Sequence, residues 1–154
     1  MSQARPTSVT VYSAADVPRD ALAGGTVTVL GYGNLGRTMA LNLRDSAVKV
    51  VIGNREDEYA VRARAEGFAV VPLAEAASAD ILFVALPDEV IPHVFRHDVA
   101  PALRPGSAIV FASGYTLYDL VRPPDTVDVL LVAPRMGGAA AAPVTRLATV
   151  SGRA

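Results

Sequence analysis

The sequence predicts an α/β fold with a doubly wound, mainly parallel sheet and helices on both faces. Short apolar runs rich in β-branched residues alternate with longer stretches rich in Ala, Arg and Glu, a pattern typical of repeated βα units. The apolar runs lack polar alternation, so we expect their strands to be buried on both faces. With 154 residues and 51% hydrophobic residues, the chain can form one domain over 1–154, on which we expect an N-terminal extension, 1–24, to pack.

The predicted strands are short and nearly free of charged residues. A further short run, Leu147–Val150, could add one last strand near the end of the sequence. The six main runs are Thr26–Leu30, Val48–Ile52, Ala69–Val71, Ile81–Leu86, Ala108–Phe111 and Val129–Val132.

Helices are predicted between the strands. Leu35, Met39 and Leu43 recur at i, i+4 and i+8, which places a helix directly after the first strand. The stretch "DEYAVRARAEG" has good helix formers and ends at Gly67, a common stop signal. A third helix follows the fourth strand, carries a Pro near its first turn and is broken by Pro101.

Composition excludes several classes of partner. The formal net charge is −1 and the basic residues are scattered, so we expect no nucleic-acid partner. No apolar run reaches the roughly 18 to 20 residues of a membrane span, and the start "MSQARPTS" does not resemble a signal peptide. Because cysteine is absent, neither a disulfide framework nor a thiolate zinc site is available, and we expect a cytoplasmic protein without a membrane partner.

A glycine motif, "GYGNLG", joins the first strand to the first helix. Gly31 allows the sharp turn out of the strand, Gly33 allows the backbone to approach a pyrophosphate, and Gly36 allows the helix to pack on the strand. The helix then offers free N–H groups and the positive end of its dipole to phosphates. This context predicts a Rossmann-like nucleotide site, while a tight βα turn without a ligand stays the alternative.

The glycine motif does not identify the ligand, because S-adenosylmethionine enzymes also carry glycine-rich turns. The residues at the end of the second strand are therefore used to distinguish the possible ligands. NAD sites usually place an acid there, whereas NADP sites place a residue such as Arg. Here Asn54 and Arg55 hold the tip, and Glu56, Asp57 and Glu58 follow. Arg55 suits adenine or a 2′-phosphate, whereas the acids either repel that phosphate or simply begin a helix.

Two histidines, His93 and His97, have the i, i+4 spacing of helical metal ligands. No third ligand is apparent in the sequence. We therefore expect two surface histidines and assign no metal ligand in this chain.

The motifs "GYGNLG", "LPDEV", "VFASGY" and "VDVLLVAP" follow one another in this order. Together they make the chain, from about Val9 to Val150, resemble the N-terminal domain of ketol-acid reductoisomerase. Enzymes of this family convert acetohydroxy acids to dihydroxy acids in branched-chain amino acid synthesis. They use two Mg²⁺ ions to migrate an alkyl group and a nicotinamide cofactor to reduce the resulting ketone.

The resemblance implies a site for NADP or NAD spread over several loops. The pyrophosphate is expected at Gly31, Tyr32, Gly33, Asn34, Leu35 and Gly36, the adenosine end near Asn54 and Arg55, and the ribose and nicotinamide half beside Leu86, Pro87 and Asp88. Ser113 and Gly114 are further expected cofactor contacts.

The chain departs from the family pattern in two ways. Ser113 stands where the family has a histidine near the substrate, and a serine cannot serve as a base near neutrality. The family's "APKGPGH" corresponds to "APRMGGA" around Pro134–Gly138. In the family, the Mg²⁺ ligands lie on a helical C-terminal domain, which we expect to be missing here, so this chain alone should be inactive.

Two functions remain open at this point. The first is the NAD(P)H-binding domain of a ketol-acid reductoisomerase-like oxidoreductase acting on a small-molecule substrate, as a homodimer or with a partner chain carrying the helical domain. The second is a free-standing NAD(P)-binding sensor or assembly module without catalysis of its own. A methyltransferase is disfavoured because "LPDEV" and the sixth strand fit the reductase better.

Overall fold

A computed structural model describes residues 11, 13, 15–18, 20–22, 24–115 and 121–133. In this part of the chain six parallel strands form one sheet in the order β3-β2-β1-β4-β5-β6. The strands are β1 (Val27–Leu30), β2 (Val50–Gly53), β3 (Ala69–Val71), β4 (Ile81–Val84), β5 (Ala108–Phe111) and β6 (Asp128–Leu131). The predicted doubly wound parallel sheet is confirmed, with β3 and β5 at the predicted bounds.

The helices are α1 (Asn34–Asp45), α2 (Glu58–Ala65), α3 (Leu73–Ala76) and α4 (Ile91–Val94). The α4 helix continues as a π-helical turn, Phe95–Val99, and a 3₁₀ turn, Ala100–Ala102, so the predicted interruption at Pro101 is confirmed. The α3 helix was not predicted, because four residues are too short to show a helical period. None of the helices among the described residues is both long and apolar enough to cross a membrane.

The core lies on both faces of the sheet because successive strand residues point to opposite sides. Val29 and Ile52 pack with residues of α1 and α2, whereas Leu30 and Leu82 pack with residues of α3 and α4. The first two helices thus cover one face of the sheet and the next two cover the other, as in a doubly wound sheet.

The edge strands correct one expectation. All four residues of β6 are exposed, and Leu130 and Leu131 have 48% and 54% of their surface accessible. On β3, Ala69 is exposed and its two neighbours are only partly buried. The apolar runs predicted burial on both faces, but an edge strand has a neighbour on one side only, and the core clusters centre on the inner strands.

Some predictions fall outside the described residues. They include the last strand at Leu147–Val150, the segment Pro134–Gly138 and most of the N-terminal extension 1–24. Their placement stays a prediction.

Candidate nucleotide-binding site

A cleft of about 430 Å³ opens at the carboxyl ends of the central strands. It lies where the strand order reverses between β1 and β4, the position at which open α/β sheets bind ligands. Three connections form its wall: the β1–α1 turn, the β2–α2 loop and the β4–α4 loop, closed by side chains from α2, α3 and α4. The predicted residues that line it are Gly31, Tyr32, Gly33, Asn34, Leu35, Asn54, Arg55, Leu86 and Pro87.

Two of the three motif glycines are required by the fold itself. Gly31 has φ +89°, and a Cβ there would stand 3.0 Å from the Ala85 carbonyl oxygen. At Gly36, a Cβ would collide with the carbonyl oxygen of Gly31, because α1 packs directly on the turn. These two glycines would be needed with or without a ligand.

Gly33 is different, because nothing among the described residues requires a glycine there. Its backbone, with φ −68° and ψ −168°, is extended and open to any residue. A Cβ at this position would meet no atom within 4 Å in the part of the chain that the structure describes. The missing side chain therefore leaves free space over the backbone at the wall of the cleft, which is the room that a pyrophosphate needs.

The amino end of α1 adds an electrostatic feature suited to an anion. The cap residue Gly33 provides no side-chain hydrogen bond to the first turn, and that turn contains no acidic residue. The 12-residue helix thus presents its first N–H groups and the positive end of its dipole without a competing carboxylate in its own first turn. This combination is the usual basis of phosphate binding at helix amino termini.

The tip of β2 is organised around Asp57. Its Oδ1 accepts hydrogen bonds from the Tyr59 and Ala60 amides, so Asp57 caps α2, and it also accepts one from the Asn54 side chain at 2.8 Å. Burial alone would raise the pKa of Asp57, but these bonds and the Arg55 guanidinium lower it on balance. The interpretation that the acids begin a helix therefore holds for Asp57, which nevertheless lines the cleft.

The other charges of this loop are also paired. The Arg55 Nε lies 3.0 Å from Asp57 Oδ2, yet the Arg55 side chain remains 83% exposed. Glu56 forms an ion pair with Arg64, whose Nη1 donates to Glu56 Oε2 at 2.9 Å. This hydrogen bond lowers the pKa of Glu56.

Other predicted residues, Gly36 among them, do not line this cleft. Asp88 follows Pro87 but does not line the cleft, and neither do Ser113 and Gly114, which follow β5. The Ser113 hydroxyl accepts a hydrogen bond from the Tyr115 amide at 3.2 Å.

His93 and His97 do pack together, with ring centroids 4.5 Å apart, and both are exposed. Among the described residues no group of three or more His, Asp or Glu side chains is placed to hold a metal ion.

Six lining residues were not predicted as site residues: Asp57, Tyr59, Leu73, Ala85, Val90 and Val94. Ala85 directly follows β4, and the other five lie on or beside helices at the carboxyl edge of the sheet, so no local motif marks them. Tyr59, 42% exposed in the first turn of α2, is the kind of exposed aromatic that could have raised attention.

Residues 21–145 match the family model described as the acetohydroxy acid isomeroreductase NADPH-binding domain. Two curated relatives are the ketol-acid reductoisomerases (NADP(+)) of Pyrobaculum calidifontis, 45% identical over 133 residues, and Caldivirga maquilingensis, 42% identical over 132 residues. Each alignment covers 84% of this chain and 40% of the relative. The chain thus spans about 40% of the length of the curated relatives it matches.

A solved structure agrees with this assignment. The NADH-preferring ketol-acid reductoisomerase from an uncultured archean superposes with a TM-score of 0.78 at 35% identity, over 81% of this chain and 40% of that one. The glycine turn, the strand order and the sequence relationships agree, and the chain belongs to the acetohydroxy acid isomeroreductase (ketol-acid reductoisomerase) family, in which it corresponds to the NADPH-binding domain.

Proposed function

We propose that the cleft binds a reduced nicotinamide dinucleotide and that the chain is the cofactor-binding part of a ketol-acid reductoisomerase-type oxidoreductase. The observation that carries this proposal is Gly33, whose lack of a side chain is explained neither by its backbone angles nor by its neighbours. A ligand that must approach this backbone closely accounts for the glycine.

The cleft residues divide between the two halves of the cofactor. The first amides of α1 would bind the pyrophosphate, and Asn54 and Arg55 would hold the adenosine end. Leu86 and Pro87, at the carboxyl end of β4, would flank the ribose and nicotinamide half. The cofactor would supply a hydride for the substrate carbonyl, and the protein would orient it.

We infer that the site accepts both NADPH and NADH. The 2′-phosphate of NADPH would approach the tip of β2, where Asp57 is fixed by its cap hydrogen bonds. A carboxylate about 4 Å from one phosphate charge costs about 4 kcal/mol at an effective dielectric near 20, before salt screening. Arg55 would offset this repulsion only where its exposed side chain lies between the two groups.

The reaction itself needs groups from outside the described residues. We propose that an acetohydroxy acid is reduced, that Ser113 stands near the substrate, and that carboxylates elsewhere in the protein or in a partner chain supply the Mg²⁺ site. The exposed apolar side chains of β6, Leu130 and Leu131 among them, offer a surface for such a partner or for a second copy. The cytoplasmic location also stays a prediction.

The test is direct titration of NADPH and NADH with the purified chain. The chain contains no Trp, so the signal is the cofactor's own fluorescence, with calorimetry as a second measurement. Gly33→Val should abolish binding of both cofactors. Gly25→Val is the matched control, because its Cβ would lie at an ordinary 3.8 Å from Asp80 at the opposite edge of the sheet.

Each outcome has a clear meaning. The proposal is supported if Gly33→Val loses binding of both cofactors while Gly25→Val keeps it. Unchanged affinity in that variant would remove the glycine turn from the site, and a wild-type chain that binds neither cofactor would refute the proposed function.

A further inference from the structure

A buried tyrosine ties the glycine turn to the far end of α2. The Tyr32 side chain is 1% exposed, and its hydroxyl donates to Glu66 Oε2 at 2.6 Å. Its ring packs edge-on against Phe68, with centroids 5.6 Å apart. Since Glu66 is the C-cap of α2, this contact links the β1–α1 turn to an element 34 residues away in sequence.

The same carboxylate also holds the first helix after the turn. The Arg37 Nε donates to both Glu66 oxygens at 3.0 and 2.9 Å, and an Arg37 terminal nitrogen lies 2.9 Å from Oε1. Both side chains are sheltered, with 31% and 24% of their surfaces exposed. Charge-assisted bonds of this kind are stronger and more directional than neutral ones.

The protonation states keep the donors and the acceptor fixed over the neutral range. Burial, together with the hydrogen bond to Glu66, raises the pKa of the Tyr32 hydroxyl, so it stays a donor. The hydrogen bond from Arg37 lowers the pKa of Glu66, so it stays an anionic acceptor.

The turn needs such an anchor because Tyr32 lies between Gly31 and Gly33. Glycines restrict the backbone least, so a turn with two of them samples many conformations unless a side chain holds it. At its start the turn is held by the Gly31 amide, which donates to the Gly53 carbonyl at 2.9 Å. The Tyr32 hydroxyl supplies the next attachment, one residue before the backbone expected to meet the pyrophosphate.

We infer that Glu66 is a positioning residue for the dinucleotide: through Tyr32 and Arg37 it keeps the glycine turn and the amino end of α1 in the geometry that binds pyrophosphate. This inference rests on the proposed function. Glu66 does not line the cleft and would act only by raising the population of the binding-competent turn.

The test compares variants that remove the anchor with one that removes a similar network elsewhere. Glu66→Ala deletes the acceptor, and Tyr32→Phe deletes one hydrogen bond while keeping the ring on Phe68. Glu66→Gln keeps an oxygen for the Tyr32 hydroxyl. The matched control is Asp80→Asn, because Asp80 bonds to Thr26 and Arg104 at the amino edge of the sheet.

Dissociation constants for NADPH and NADH are measured well below each variant's Tm, so that unfolding contributes nothing. We expect Glu66→Ala to weaken both cofactors by the same factor of about ten, as for a turn that is competent about a tenth of the time. The dissociation constants of Tyr32→Phe should lie between those of wild type and Glu66→Ala, and Glu66→Gln should recover part of the affinity that Glu66→Ala loses. The dissociation constants of Asp80→Asn should stay within about twofold of wild type, whatever the Tm of this variant.

The opposite results are distinguishable. If Glu66→Ala and Tyr32→Phe lower only the Tm and leave both dissociation constants unchanged, Glu66 has a purely structural role and the inference is wrong. If Glu66→Ala does not fold, Tyr32→Phe decides alone. If the wild-type chain binds neither dinucleotide, the proposed function fails first, and the inference fails with it.

Discussion

Replacing Gly33 and Gly36 separately by Ala should distinguish a glycine that is required for ligand binding from one that is required for folding. At Gly33 the new Cβ meets no atom within 4 Å, and the backbone angles suit Ala. Ala is a poorer N-cap than Gly by about 0.5 to 1 kcal/mol. Ala also restricts the unfolded chain more than Gly does, which stabilises the folded state by about 0.4 to 1 kcal/mol. These effects nearly cancel, so the Tm should change by no more than about 2 °C.

At Gly36 the same methyl group should destabilise the fold. Its Cβ would collide with the Gly31 carbonyl oxygen and lie 3.0 Å from the carbonyl carbon, and backbone atoms cannot move aside as a flexible side chain can. Separating α1 from the turn should cost about 3 kcal/mol, against about 1 kcal/mol gained from the better helix propensity of Ala. The net loss of about 2 kcal/mol corresponds to roughly 4 to 8 °C in Tm for a chain of this length.

The measurements are thermal unfolding by circular dichroism and cofactor titration on both variants. Gly33→Ala should keep its Tm and lose most of its NADPH and NADH affinity, whereas Gly36→Ala should lose stability. If Gly33→Ala lowers the Tm as far as Gly36→Ala does, the fold requires glycine at 33, and the inference of a close ligand from that residue is wrong.

Three further predictions concern cofactor choice, pH and activity. Arg55→Ala should weaken NADPH about tenfold more than NADH, as loss of one charge-assisted phosphate contact would; equal weakening in titrations would make Arg55 an adenine or structural contact. Because the pKa of Glu66 is held below its ordinary 4.5, Glu66 contributes stability above about pH 4.5 that is lost as the pH falls through the lowered value. Urea unfolding should therefore show Glu66→Gln clearly less stable than wild type at pH 7 and closer to it at pH 3; an equal gap at both would contradict this. The purified 154-residue chain should show no Mg²⁺-dependent consumption of acetolactate in an absorbance assay, and robust turnover would mean that this chain carries the metal ligands.

The sequence predicted the strands and the glycine turn well because both are local signals. Ala108–Phe111 is a continuous apolar run and Val27–Leu30 is apolar apart from Thr28, and buried parallel strands need little else. The exposure of β6 could not be predicted in this way, since its residues after Asp128 are as apolar as those of an inner strand and differ only in their place in the sheet. The contacts of Glu66 with Tyr32 and Arg37 could not be predicted from the sequence either, because only the packing of α1 and α2 brings these residues together.

The preference for NADPH or NADH is the property that is hardest to predict from the sequence, because it depends on how the charged side chains near Arg55 are paired. In the sequence, Arg55 stands beside three consecutive acids, and their effects on a 2′-phosphate nearly balance. The structure gives two of these acids different partners: Glu56 pairs with Arg64, and Asp57 caps α2 and pairs with Arg55. Both cofactors share the pyrophosphate, so the glycine turn cannot distinguish them. Under the proposed function, discrimination would therefore depend on whether Arg55 leaves Asp57 for a phosphate, and the large exposure of its side chain would allow that exchange without disturbing the fold.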